Sequence, residues 1–148
     1  MILRQKVLVE VLGEVNTGDV VAAQLVSREG LLLCFSGAAS ETTNQAAVSS
    51  ALLSTIWGQF DKGTGAAFGG SGHLKEVVLE CEDGYIAACP LANMLLVLRA
   101  RSSAKLGLLR AKLHTLRNHL NDPLTIIAEA NAEEMAKEKR KKTTADDY

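Results

Sequence analysis

Apolar residues recur along this chain in blocks whose period changes, and the changes mark its elements. Over residues 2–15, Leu8, Leu12 and Val15 share a helical face with Leu3, Val7 and Val11 beside them, and Asn16-Thr17-Gly18 supplies a helix stop. Asp19 to Ser27 and Leu31 to Ser36 are almost continuously apolar, are separated by the tight turn Arg28-Glu29-Gly30, and read as a hairpin covered on both faces. A loop over Gly37–Glu41 leads to Thr42 and Gln45, which have capping-box spacing and open a helix over Thr43–Asp61. In that helix Val48, Leu52, Ile56 and Phe60 recur every fourth residue, and Leu53 and Trp57 widen the apolar arc. The arc covers roughly half the circumference, more than the ~100° stripe that one core surface needs. Ala47, Ala51, Ser54 and Gly58 form a lane of small residues along one edge. That lane suits either close approach by another helix or a mild solvent face.

The glycine-rich stretch 61–72, DKGTGAAFGGSG, reads as a flexible loop. It follows a helix, lacks the GxxxxGK[ST] pattern, and has no lysine placed to reach phosphates, so a flexible loop is a better reading than a phosphate cradle. His73 to Cys81 alternates as a strand, Glu82-Asp83-Gly84 turns it, and Tyr85 to Cys89 returns until Pro90 interrupts the ladder. Leu91 to Ala100 is the most hydrophobic strand and so the expected centre of the sheet. After Arg101-Ser102-Ser103, the seam Leu106, Leu109, Leu113, Leu116 and Leu120 predicts a helix docked on that sheet, broken at Asn121-Asp122-Pro123. The expected domain spans 1–125. Residues 126–148 form a charged extension, a fraying helix passing into a disordered tail, with Glu133–Lys137 and Glu138–Lys142 as helix-supporting pairs. The order helix, two strands, helix, three strands, helix predicts one α+β domain with a five-stranded antiparallel sheet, not a parallel nucleotide-binding fold.

Composition narrows the function. Hydrophobic residues make up 47% of the 148 residues and aromatics only 4%, so aliphatic side chains must build the core. A net charge of −1 gives no general attraction to nucleic acid. Cys34, Cys81 and Cys89 are odd in number, lack CxxC spacing and fall in strands, which predicts buried reduced thiols and a cytosolic compartment. No apolar run spans a bilayer, MILRQK turns polar too early for a signal peptide, and Ile2 stands where myristoylation needs glycine. His73, His114 and His119 form no metal-ligand spacing, and no nucleophile elbow or thiol dyad is visible, so neither catalysis, a metal nor a cofactor is expected. Lys139-Arg140-Lys141-Lys142 has the look of an import or anionic-surface patch, but Glu134, Glu138, Asp146 and Asp147 flank it, and a solubilising tail is the better reading. What remains is surface. Trp57 sits at the margin of an over-wide helix face, and the strand from His73, if at the sheet edge, offers unpaired backbone groups to another strand.

These features resemble the Roadblock/dynein light chain domain family, and within it the small Roadblock subunits of Ragulator-type lysosomal adaptor complexes. The resemblance rests on LRQKVL and NTG within 3–18, EGLLLCFSG (29–37), IWGQFDKGTGAAF (56–68), ANMLLVLRA (92–100), and LGLLRAKLHTL through DPLT (106–125). It covers most of residues 1–125, and departs from the family in the strand HLKEVVLEC, which carries Glu76, and in the long tail. It implies a Roadblock, profilin-like fold with helices on both faces of the sheet. It implies a scaffold subunit that is not an enzyme. Such a subunit pairs with a second Roadblock subunit, docks on the C-terminal domains of Rag GTPases, and is held on the late endosomal or lysosomal surface by a lipidated wrapping subunit. The complex would serve TOR and MAP kinase signalling and guanine-nucleotide exchange, without direct membrane insertion or nucleic acid. A homodimeric dynein-associated light chain and a GTPase-regulating Roadblock protein are the alternatives. The pairing surface then maps to Ala47, Ala51, Ser54, Trp57 and Gly58 on the helix and to Leu74, Lys75, Glu76, Val77, Val78 and Leu79 on the strand. Val48, Leu52 and Ile56 are left for the chain's own sheet.

Overall fold

A computed structural model describes residues 2–70 and 72–121. The helix stop at Asp122-Pro123 and the whole 126–148 extension lie outside the described residues. The elements run α1 (Ile2–Gly13), β1 (Val20–Ser27), β2 (Leu32–Gly37), α2 (Thr43–Phe68), β3 (Val77–Cys81), β4 (Gly84–Leu91) and β5 (Met94–Arg101), followed by α3, helical over the described residues 106–121. The five strands form one antiparallel sheet in the order β2-β1-β5-β4-β3. The most apolar strand, β5, is indeed central, and β2 and β3 are the edges.

Strand alternation sorts the side chains onto two faces. Ala23, Leu25, Ala87, Cys89, Leu91, Leu96 and Leu98 meet Leu12 of α1, Val15 just after it, and Leu109, Leu113, Leu116 and Leu120 of α3. This is the larger core, and α3's seam is the one that its leucine spacing predicts, except that Leu106 is exposed. On the other face Val26, Ala88, Leu95 and Val97 pack against Leu53 and Trp57 of α2. Helices therefore cover both faces, and β1 is buried on both, as its apolar run, interrupted only by Gln24, requires.

α2 starts where the capping box places it. Gln45 N–H donates to Thr42 Oγ1 at 3.1 Å, and Thr42 N–H donates to Gln45 Oε1 at 2.9 Å, an arrangement that stabilises a helix start by about 1 kcal/mol. Its end is a correction. The stretch expected to be a loop from residue 61 is helical to Phe68 and stops at Gly69, whose φ of 71° makes the left-handed C-cap. Once a helix is nucleated, each further residue adds a hydrogen bond, and Ala66 and Ala67 are strong formers, so the internal glycines lower its stability without ending it.

Candidate association surface

The rotation of α2 about its axis decides which side chains are free, and Gln24 sets that rotation. Gln24 is a fully buried amide in the apolar strand β1, and a buried amide needs partners. Its Nε2 donates to Ala46 O at 3.1 Å and to Ser50 Oγ at 2.9 Å. Its Oε1 accepts from Ser49 Oγ at 3.2 Å and from Arg99 Nε at 2.7 Å. All four hydrogen-bonding positions of the amide are used. Arg99 in turn pairs with Glu41, just ahead of α2, at 2.8 Å. The first turns of α2 are thus pinned to β1 and β5 through Ala46, Ser49 and Ser50, and one turn further on Leu53 and Trp57 continue the same inward face.

Trp57 is therefore a core residue, 3% exposed in the single chain. This corrects its assignment to a partner surface. Arg28, in the β1–β2 turn, lies over its ring at 5.8 Å. The same turn explains part of the small-residue lane. Ser54 Oγ donates to Arg28 O, and a Cβ on Gly30 would come within 3.3 Å of Ala51 Cα and 3.4 Å of Ser54 Cβ. Gly30, at φ +96°, reaches α2 only because those positions are small. Ser54 and Ala51 thus receive the chain's own turn. Ala47 and Gly58 are exposed on the same lane, and Gly58 has nothing within 4 Å of where a Cβ would stand.

The residues expected to face the chain's own sheet are the ones left outside. Val48 is 61%, Leu52 51% and Phe60 60% exposed, with Ile56 half-buried between them. At about 100° per residue this stripe lies on the flank of α2 away from the β1–β2 turn, on the side of β4 and β3. There the α2 side of the sheet is only partly covered, and Leu74, Val77, Leu79 and Ile86 are half-buried against the Trp57 cluster. Beyond them, among the described residues, β3 bonds to β4 alone, which leaves its outer edge without a strand partner there. A contiguous apolar stripe beside an open strand edge marks an association surface.

The strand residues fall out less uniformly. β3 begins only at Val77, so Leu74, Lys75 and Glu76 precede it as an extended lead-in. In the Val77↔Ala88 register, Lys75 would stand opposite Pro90, which has no N–H to continue the ladder. Asp61 Oδ1 accepts from Leu74 N–H at 2.8 Å and ties the lead-in to α2. Val78 turns to the α3 side and packs on the larger core. Glu76 also faces α3: Arg110 donates to it at 2.9 and 3.1 Å, and these hydrogen bonds hold its carboxyl below its ordinary range. Of the cysteines, Cys34 and Cys89 are buried and Cys81 is exposed, correcting the expectation for the last. Burial raises the Cys34 thiol, and pushes Cys89 up to about 11. Among the described residues no group of three or more metal-ligating side chains converges.

The Roadblock/LC7 domain profile matches residues 8–100. A protein of Caenorhabditis elegans, the Ragulator complex protein LAMTOR2 homolog, is 40% identical over 127 residues, covering 85% of this chain and 96% of its own length. Among solved structures, the Roadblock/LC7 domain of Streptomyces avermitilis superposes with a TM-score of 0.67 at 21% identity, covering 80% of this chain and 95% of that one. The gliding protein MglB of Thermus thermophilus superposes at 0.66 and 22% identity, covering 85% of this chain and 91% of its own.

Proposed function

The chain belongs to the Roadblock/LC7 family, and from that premise we propose that it is a non-catalytic adaptor subunit of a Ragulator-type complex. In this reading it pairs with a second Roadblock subunit, and the pair helps to recruit Rag GTPases, through their C-terminal domains, to the late endosomal or lysosomal surface for TOR and MAP kinase signalling. The observation that carries the pairing is the stripe Val48, Leu52, Ile56 and Phe60 together with the edge of β3, which has no strand partner among the described residues. A partner built alike would lay its own helix against that stripe and over Val77, Leu79 and Ile86, and its edge strand against β3. The outer edge of β3 supplies the backbone hydrogen bonds and the stripe supplies apolar area. The 40% identical Ragulator relative supports the choice of complex. No helix among the described residues is long and apolar enough to cross a membrane. A lipidated wrapping subunit holds the assembly on the membrane in this account.

The test is affinity capture of the tagged full chain from cell extract, followed by mass spectrometry. Recovery of a second Roadblock subunit with Rag GTPases is the expected result. Recovery of dynein motor subunits without Rag GTPases would replace this reading with that of a motor light chain.

A further inference from the structure

A different surface lies at the corner where the β3 lead-in meets α3. A cleft of about 670 Å³ opens there, lined by His73, Leu74, Lys75 and Glu76 together with Pro90 and three side chains of α3. Those three, Arg110, His114 and Arg117, follow one another at four- and three-residue spacing and so stack on one stripe of the helix. Five of the lining groups are or can become cationic, and Glu76 is the one carboxylate among the lining residues. Glu76 is already engaged: it accepts two hydrogen bonds from Arg110 at 2.9 and 3.1 Å, and lies 3.4 Å from His114 Nε2. His73 has Asp61 at 3.7 Å. Lys75 and Arg117 have no carboxylate partner among the described residues. The backbone beside them is equally open. The ladder with β4 begins at Val77, and in the lead-in only the Leu74 amide has a partner among the described residues.

We propose that this cleft receives an extended acidic segment of a partner protein, with carboxylates on Lys75 and Arg117 and its backbone along His73–Glu76. The shape favours a peptide over an anionic bilayer. The cations line a cleft, His114 and Arg117 are half-buried in it, and Pro90 sets apolar surface between the charges. A flat membrane instead meets cations that project from a surface. The site does not depend on the pairing stripe, which lies on the α2 side.

The test is fluorescence anisotropy with the full chain and a short labelled peptide of alternating Glu and Leu, against the same peptide with Gln for Glu. Binding of the Glu peptide alone is expected. Lys75→Glu and Arg117→Glu should each weaken it about two- to fivefold, the scale of one exposed ion pair. Glu76→Gln should tighten it, because it removes the competing carboxylate. Leu52→Asp, which probes the pairing stripe, should leave it unchanged, so that failure of pairing and failure of this site are told apart. Equal binding of both peptides, indifference to Arg117→Glu and Glu76→Gln in folded protein, or binding to phosphatidylserine vesicles without binding to the peptide would each overturn the proposal.

Discussion

Replacing Trp57 by alanine separates the two roles that this side chain could have. It is 3% exposed and packs with Val26 of β1, Leu53 of α2, Ala88 of β4, and Leu95 and Val97 of β5. A buried tryptophan removes roughly 150–250 Å² from water, which at about 25 cal/mol per Å² amounts to about 4–6 kcal/mol before the alanine's share is subtracted. Aromatic-to-alanine changes in cores cost about 3–5 kcal/mol. The upper part of that range applies, because the neighbours sit on four separate elements and cannot close the void without moving α2 off the sheet. Against a total stability of about 5–15 kcal/mol this is a large fraction. The assay is urea denaturation of the full chain followed by circular dichroism, since the variant loses the protein's only tryptophan. With a slope of about 1–3 kcal/mol per M, the midpoint should fall by more than about 1 M. Trp57→Phe should fall by less. An unchanged midpoint combined with a specific loss of partner affinity would refute the core assignment and restore Trp57 to the interface.

Three further outcomes follow from the geometry. Gly30→Val should lower the urea midpoint by the equivalent of about 1–3 kcal/mol, because a β-branched residue at φ +96° is strained and presses on Ala51; a midpoint equal to wild type would contradict the close approach of the turn to α2. In the native protein a maleimide should label Cys81 alone, with Cys34 and Cys89 reacting only after unfolding; mass spectrometry that finds Cys89 labelled as fast as Cys81 would refute the burial. Because Arg110 holds the folded Glu76 carboxyl below its ordinary value of 4.5, its contribution to stability is present above that pH and is lost as pH falls through the folded value. The stability gap between wild type and Glu76→Gln should therefore close below about pH 4.5, and a gap that persists at lower pH would count against the Glu76–Arg110 contact.

Most of the fold was legible because local signals agreed. The capping box at Thr42 and Gln45, the leucine seam of α3 and the central place of β5 follow from spacing and hydropathy alone. The end of α2 did not follow, since the five glycines after Asp61 look like a loop unless the helix already running through the first two, Gly63 and Gly65, is counted. The rotation of α2 was the consequential miss. With apolar residues on both arcs, periodicity gives two equivalent rotations, and bulk made Trp57 look like an anchor and Val48 and Leu52 like core. Gln24 held the answer. An amide in the middle of an apolar strand must face hydroxyls or backbone acceptors, and Ser49-Ser50 are the pair that can supply them. That match turns Leu53 and Trp57 inward and leaves Val48, Leu52 and Phe60 outside. The lane of small residues was visible in sequence, but its partner at Ala51 and Ser54 is the chain's own Gly30, which lies more than twenty residues earlier.

The most direct test of the pairing surface is Leu52→Asp in the chain co-expressed with the Roadblock subunit that it captures. Leu52 is 51% exposed, so a charge there should change the stability of the single chain by no more than about 0.5 kcal/mol. In a formed interface the same aspartate would be buried without a partner. Sedimentation velocity of the wild-type pair should show one heterodimeric species. The Leu52→Asp chain, with an unchanged thermal midpoint, should sediment apart from its partner. Assembly of the variant at wild-type affinity would contradict the account.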